Sequence, residues 1–454
     1  MTSWLEGHPG LPRLLAGLDQ LDDARAAQSG DAGGRAGGRR PGAPMTLAEH
    51  ARVHGDLPHR SPLELIESIE RSGLRGRGGA DFPTARKLRA VAGRRRVSAV
   101  IVNGSETEPA SAKDRLLLSR MPHLVLDGAV LAAGAVGARE VIVKLGEGSV
   151  DSLRALEGAV SVRSDPVPIG FVTAPEGYVA GEESAVLHYL NGGPELPTFV
   201  PPRPFERGYR SRPTLIQNPE TLAQIALVAR FGEHWYRELG TSADPGSALV
   251  TISGAVSAPG VYELAFGTPM TDLIAAAGGA TEPLRALLVG GYFGTWVEAS
   301  HAMALKLARE DLRSVGCSLG SGVLIALGES ACGLHESARV IDYLAAQSAG
   351  QCGPCTFGLR AIADGMGALA AGTARERDRD RVLRWASEIR GRGACHHPDG
   401  AVRFVASAVS VFADEIESHR RERCAAAPAG LPLAGHTVRE AASARRRAVR
   451  GSAR

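Results

Sequence analysis

The sequence predicts three successive architectures in one chain: an α/β layer, a small β module and a helical bundle. Between about residues 60 and 235, β-branched apolar runs alternate with helical patterns, as strands do when crossover helices join them into a largely parallel sheet. From 246 to about 328 short strands and turns replace that alternation. From 334 to 417 apolar residues recur at intervals of three and four, the period of a helix face buried in a bundle.

Residues 1–59 read as an N-terminal segment, and within it 24–45 is a Gly/Arg-rich linker with too little apolar surface to order itself. In the domain expected over 60–240, the runs 98–102, 140–145 and 167–173 read as strands, with a helix over 124–136 between two of them. In the 246–328 domain, 249–256 and 261–263 flank Ser257-Ala258-Pro259-Gly260 as a hairpin. A short helix over 271–277 ends at Gly278-Gly279, because glycine accepts the left-handed conformation that closes a helix. In the 329–420 domain, Leu359, Ile362, Met366 and Leu369 form one stripe, and Val402, Val405, Val409, Phe412 and Ile416 another. Residues 421–454, rich in Ala and Arg, read as a disordered basic tail.

Composition narrows the function. At 454 residues the chain can bury several cores. A net charge of +3 gives no electrostatic case for nucleic acid, and 5% aromatics give few platforms for stacking bases. No run reaches the roughly 18 uncharged apolar residues of a membrane span, and residues 1–18 lack a signal-peptide core. The expectation is a cytoplasmic protein, peripheral to the membrane at most through a partner. Six cysteines in such a compartment point to metal or redox work rather than disulfides. Only four lysines occur (Lys87, Lys113, Lys144 and Lys306), so each marks a place where a compact point charge replaces the usual arginine.

Four motifs carry chemistry. Gly73-Leu74-Arg75-Gly76-Arg77-Gly78-Gly79-Ala80-Asp81-Phe82-Pro83-Thr84 lets backbone N–H groups approach a phosphate, with Arg75, Arg77 and Lys87 as added charge. Asn103-Gly104-Ser105-Glu106-Thr107-Glu108-Pro109 follows a strand, where open α/β sheets take ligands. There Asn103 and Ser105 suit a flavin ring or ribityl chain, and Glu106 and Glu108 suit ribose hydroxyls. Gly181-Glu182-Glu183-Ser184 places paired carboxylates at a helix start, which the dipole alone would favour. Cys352-Gly353-Pro354-Cys355, with Cys395 forty residues after Cys355, gives three thiolates in the pattern of a cubane cluster that usually has four.

Together these motifs resemble the flavoprotein (F-type) subunit of NADH-quinone oxidoreductase, respiratory complex I, and its hydrogenase and formate-dehydrogenase relatives. The resemblance runs from about residue 60 to 420 and also includes Gln217-Asn218-Pro219-Glu220-Thr221-Leu222. It implies an α/β FMN-binding domain, a β-grasp (SLBB-like) module and a C-terminal four-helix iron–sulfur domain. FMN contacts are implied at Gly76, Arg77, Gly78, Gly79, Lys87, Asn103, Ser105, Glu106, Gln217 and Asn218. Nicotinamide-nucleotide contacts are implied near Phe82, Glu108 and Glu183, with Glu182 as a further cofactor-binding residue. Metal ligation is implied at Cys352, Cys355 and Cys395, with a 4Fe-4S or altered 3Fe-4S cluster. No catalytic acid or base is needed for direct hydride transfer.

The departures fall at the sites. Asp81 replaces a loop glycine, Ser105 an aspartate, and the aromatics after Lys87 are absent. Val200-Pro201-Pro202-Arg203 stands where the family has Lys-Pro-Pro-Phe. Ala349 occupies the first cluster-ligand position, which leaves open a substitute ligand such as His396 or His397, a three-iron cluster, or none. The expected function is electron transfer from NAD(P)H through FMN and a cluster to a ferredoxin-like protein or a membrane reductase. The rival is a non-catalytic scaffold or ligand-binding paralogue whose nucleotide site Asp81 blocks.

Overall fold

The computed structural model describes residues 2–4, 10–18, 42–421, 424 and 429–433; most of the expected linker and most of the expected tail lie outside the described residues. The chain divides into two compact units, 1–328 and 329–454.

Beyond β1 (Thr2–Trp4), the apolar runs of the first unit become β2 (Ala99–Gly104), β3 (Glu140–Gly146), β4 (Ile169–Ala174) and β5 (Leu215–Gln217). All four pair in parallel in the order β4-β3-β2-β5, with Val100 opposite both Val141 and Leu215. β2 and β3 lie centrally and are apolar almost throughout, because both faces of a parallel sheet are covered. The chain steps outward from β2 to β3 and β4, then returns to the other side of β2. The carboxyl ends of β2 and β5 therefore flank the switch point of the sheet, where ligands of such folds bind.

The covering helices are α1 (Leu47–His54), α2 (Pro62–Ser72), α3 (Thr84–Ala92), α4 (Lys113–Arg120), α5 (Pro122–Val136), α6 (Val150–Ser161), α7 (Glu183–Leu190) and α8 (Pro219–Arg237). Thr46 with Glu49 and Ser61 with Glu64 form capping boxes that start α1 and α2. α5 meets α8 at Gly128, where a Cβ would stand 1.8 Å from the Leu222 carbonyl oxygen, so only glycine permits the approach. Leu14, Leu15, Leu18 and Met45 join the same core, and Glu263 accepts from the Arg13 and Leu15 amides at 2.8 and 3.1 Å. The sequence reading gave this N-terminal segment no element; it packs near Met45 and Val53 and is held by Glu263, some 250 residues away.

The second sheet holds β6 (Ser247–Gly254), β7 (Gly260–Ala265), β8 (Leu284–Val289), β9 (Thr295–Glu298) and β10 (Val323–Gly328), in the order β1-β7-β6-β10-β8-β9. β6 and β7 form the expected hairpin, and β10 returns parallel to β6. α9 (Met270–Ala276) packs Met270, Leu273 and Ile274 on its face and ends before Gly278 and Gly279, both left-handed. Short helices α10 (Ala299–Ala302) and α11 (Arg309–Ser314) complete the module.

The second unit is helical: α12 (Gly333–Ala346), a wide π turn (Pro354–Leu359) running into α13 (Arg360–Ala370), α14 (Asp378–Ile389), α15 (His397–Val411) and α16 (Ala413–Arg421). The stripe from Val402 to Ile416 is buried but crosses two helices, broken at Phe412. Beyond α16, Gly430 and Leu431 donate their amides to Glu336 at 3.2 and 3.0 Å, so the described part of the expected tail is docked. Among the described residues no single helix is long and apolar enough to cross a membrane.

Candidate flavin and cluster sites

The glycine segment is an ordered loop. Gly73 closes α2 in the left-handed conformation, the Gly76 amide donates to the Phe82 carbonyl at 2.8 Å, and the Thr84 amide donates to Leu74 at 3.1 Å. Gly78 lies against Asn218, where a Cβ would meet the Asn218 Cβ at 3.3 Å. Gly79 has φ +98° and Asp81 φ +47°, so Asp81 holds a conformation that suits glycine. Its carboxylate is turned onto Arg75 Nε at 2.9 Å and Arg309 Nε at 3.3 Å. The expected obstruction by Asp81 is thus met by two guanidinium groups, and the ground for the non-catalytic rival weakens.

Arg77 also differs from the expectation of a free phosphate charge. Its amide donates to Thr221 Oγ1 at 2.9 Å, while its guanidinium runs inward to Tyr236 Oη at 3.1 Å and the Ser247 carbonyl at 3.2 Å, and over the Phe266 ring. Buried charges need partners, and Arg77 Nε stands 3.7 Å from Glu220, which pairs with Lys113 at 2.9 Å. Lys113 also pairs with Asp114 at 2.8 Å, and Asp114 accepts from Asn218 Nδ2 at 2.6 Å. Burial pulls the Lys113 ammonium down, but Asp114 and Glu220 reverse this and leave it raised. This chain of groups locks the loop, α4 and the start of α8 together.

At the strand ends, Asn103 donates to the Gly181 carbonyl at 2.8 Å. Ser105 Oγ accepts from Lys144 Nζ at 2.5 Å, and Lys144 is paired with Glu195. Glu106 caps α4, accepting from the Asp114 and Arg115 amides at 3.0 and 3.1 Å and from Ser111 at 2.6 Å. Glu108 accepts from Tyr178 Oη and the Tyr292 amide, both at 2.8 Å. Burial pushes its carboxyl up to about 7 against the pull of those donors. Asn218 caps α8 by accepting from the Glu220 amide at 2.9 Å.

The two carboxylates of the third motif divide. Glu182 caps α7 through the Ser184 and Ala185 amides at 2.8 and 3.2 Å. Glu183 pairs instead with Lys87 of α3, and Phe82, two residues before that helix and under the Arg86 guanidinium, is 46% exposed. Tyr178 and Phe293 pack edge to face with centroids 4.8 Å apart beside Glu108, an aromatic pair that the sequence reading did not foresee.

Among the buried polar atoms with no hydrogen-bond partner in the protein are Gln217 Nε2, at the end of β5, Thr84 Oγ1, at the loop's exit into α3, and Arg77 Nε within the loop. A donor left unpaired in a buried position costs on the order of 1–3 kcal/mol unless a ligand meets it. An acceptor-rich, phosphate-bearing ring system such as FMN fits a glycine cradle with Gln217 and Thr84 at its edges.

In the second unit the three cysteines converge. Cys352 and Cys355 lie at the entry to the π turn, with the Cys355 and Thr356 amides donating to the Cys352 carbonyl at 3.1 and 2.9 Å. Burial, with the Cys352 and Cys395 thiols close by, pushes Cys355 up to about 12. Such a donor set fits iron, which binds the thiolates. Of the two histidines after Cys395, His396 is exposed with Nδ1 3.6 Å from Asp399, and His397 is buried with Nε2 2.8 Å from the Leu344 carbonyl.

The sequence reading missed Lys144, Arg309, Tyr178 and Thr84. Lys144 carried a signal, as one of four lysines in an arginine-rich chain. Arg309 and Tyr178 became relevant only through contacts distant in sequence, and Thr84 only through the burial of a hydroxyl that no protein group meets.

The chain matches the Nuo51 FMN-binding domain over residues 69–227, the SLBB domain over 249–291 and the NADH-ubiquinone oxidoreductase-F iron–sulfur binding region over 328–419. It is 30% identical to the second NADH-quinone oxidoreductase F-type subunit of Rhizobium meliloti over 386 residues, covering 81% of this chain and 91% of the relative. The F-type subunit of Streptomyces coelicolor is 31% identical over 378 residues, covering 79% and 83%. Among solved structures, the NAD+-reducing NiFe hydrogenase in the air-oxidized state superposes with a TM-score of 0.74 at 31% identity, over 82% of this chain and 66% of that one.

Proposed function

The chain belongs to the family of NADH-quinone oxidoreductase F-type subunits, and from that premise we propose that it is a flavin- and iron–sulfur-dependent electron-transfer subunit with NADH as donor. When bound, FMN would supply an acceptor for one hydride (two electrons) that can release its electrons singly, and an iron–sulfur cluster would supply a one-electron relay. The chain's own residues bind and orient. Gly76 and Arg77 donate their amides to Phe82 and Thr221, so the backbone amides of Gly78 and Gly79 would cradle the FMN phosphate, and Thr84, Asn103 and Gln217 would meet polar edges of the flavin. Lys87 and Glu183, paired with each other, would orient the nucleotide, with the exposed Phe82 as a face for its ring. Glu108 would set the local charge according to its protonation. Cys352, Cys355 and Cys395 would hold the cluster.

The observation that carries this reading is Gln217 Nε2, buried at the sheet's switch point with no partner in the protein. Ending a strand on an unsatisfied amide is costly, and a flavin carbonyl beside it removes the cost. The acceptor is a protein partner, a ferredoxin-like carrier or a membrane reductase, with the subunit peripheral to the membrane through that partner.

The test is an anaerobic purification followed by a visible spectrum and NADH titration. A flavin spectrum bleached by NADH is expected, with a Gln217→Leu variant binding flavin at least tenfold more weakly (about 1.4 kcal/mol). A colourless protein, or one whose flavin responds to dithionite but not NADH, would overturn the reading.

A further inference from the structure

Outside both sites, the second unit brings together a set of metal-type donors that electron transfer does not use. Cys332 Sγ stands 3.3 Å from His419 Nε2, and Cys424 joins them so that all three ligand atoms lie within 4.8 Å of one another. Cys332 precedes α12, His419 lies in the last turn of α16, and Cys424 follows three residues beyond that helix. Gly333 holds the first of these in place: a Cβ there would stand 2.2 Å from the Phe412 ring. We propose that Cys332, His419 and Cys424 bind one mononuclear metal ion of the zinc type, separate from the iron–sulfur cluster, which staples the two ends of the helical unit together.

Hydrogen-bond arithmetic is the first support. His419 Nδ1 lies 2.6 Å from the Ala370 carbonyl, which can only accept, so that nitrogen carries the proton. In the neutral ring this leaves Nε2 with a lone pair directed at Cys332. The Cys332 thiol then has one proton for two acceptors, His419 Nε2 and Glu415 Oε2, each 3.3 Å away. A cation among these groups satisfies the sulfur and nitrogen lone pairs together.

Geometry is the second support. Bonds of about 2.3 Å to sulfur and about 2.0 Å to nitrogen give a sulfur–nitrogen edge of about 3.5 Å in a tetrahedral site, and the observed edge is 3.3 Å. A backbone carbonyl on the far nitrogen of a ligating histidine is also the usual outer partner, since it fixes the tautomer. The His335 amide donates to Cys332 Sγ at 3.2 Å, which favours a thiolate. Two sulfurs and an imidazole suit zinc over the hard cations. The fourth position falls to water or to Glu415, whose Oε2 is also held by the Leu334 amide at 2.8 Å.

The test counts zinc and iron separately in the full chain purified anaerobically with reductant. Zinc at about one per chain is expected in the wild type. It should also appear in a Cys352→Ala/Cys355→Ala/Cys395→Ala variant that has lost its iron. Cobalt substitution in that variant should give the charge-transfer and d–d bands of a tetrahedral thiolate site. His419→Gln and Cys424→Ser should each lower zinc occupancy at least tenfold while wild-type levels of bound flavin show that the first unit is folded. Substoichiometric zinc in the wild type after zinc supplementation would overturn the proposal. So would full zinc retention in both single variants, or a Cys332–Cys424 disulfide in the anaerobic protein.

Discussion

The two units treat their broken motifs in opposite ways. In the first, Asp81 stands in a left-handed loop position that suits glycine, yet Arg75 and Arg309 hold its carboxylate and the loop keeps its closing hydrogen bonds. In the second, Ala349 stands where the family resemblance expects a thiolate, while His396 is exposed beside Asp399 and His397 is buried with Nε2 on the Leu344 carbonyl. A changed charge can be absorbed by neighbours that move toward it. A changed metal ligand can be absorbed only by another donor within bonding distance. The flavin region therefore reads as a repaired site, and the cysteine region as an altered one.

The largest expected effect would break the cysteine side of that contrast. Cys355→Ser removes the most buried of the three thiols. It should abolish the cluster's iron and lower NADH-driven transfer to an external acceptor by about 100-fold (roughly 2.7 kcal/mol), with flavin still bound. Iron analysis and stopped-flow absorbance check both. Retained iron would mean that ligands other than these three dominate.

Next in size, Lys113→Met tests how firmly the first unit is tied together. Removing the ammonium leaves two buried carboxylates, Asp114 and Glu220, with only Arg77 at 3.7 Å from Glu220 to offset their charge, so the expected loss in denaturant unfolding is about 3 kcal/mol. A loss below about 1 kcal/mol, the range of exposed pairs, would show that solvent reaches this network.

Glu108 gives a pH test. Its folded value is raised from 4.5 to about 7, so the unfolded chain releases this proton first. Wild type should lose stability relative to Glu108→Gln as pH rises from about 4.5 to about 7 and run parallel to it above 7. The total is on the order of 3 kcal/mol, at about 1.4 kcal/mol per pH unit. Parallel stability curves over that whole window would mean that the carboxyl is solvated.

The smallest expected effect sharpens the first-unit side. Asp81→Gly relieves the left-handed strain but removes two half-exposed ion pairs, so stability should change by less than about 1 kcal/mol. The KM for NADH should change less than about threefold, which is under 0.7 kcal/mol. A gain in NADH affinity well beyond that would mean that Asp81 obstructs the nucleotide after all.

Much of the fold was legible because it rests on periodicity. The runs of β2 and β3, the hairpin of β6 and β7 and the stripes of the helical unit each follow from local spacing. The burial of Leu14, Leu15 and Leu18 was not, because Glu263 receives that segment from a distant strand. At the sites, spacing named the loop, the strand-end residues and the cysteines. It did not say which side chains face inward: Arg77 serves the interior, Glu106 and Glu182 serve as caps, and Lys144 reaches Ser105. A motif records residue type, whereas the direction of a side chain depends on partners elsewhere in the chain. Cys332, His419 and Cys424, spread over 92 positions, were invisible for the same reason.

The most direct test of the contrast between a repaired flavin site and an altered cluster is low-temperature EPR of the anaerobic protein after NADH addition, in the wild type and in Ala349→Cys. NADH should elicit an iron–sulfur signal in both, with a changed line shape and a higher iron content in the variant. Flavin reduced by NADH with no cluster signal in either protein, or identical signals and iron content in both, would contradict it.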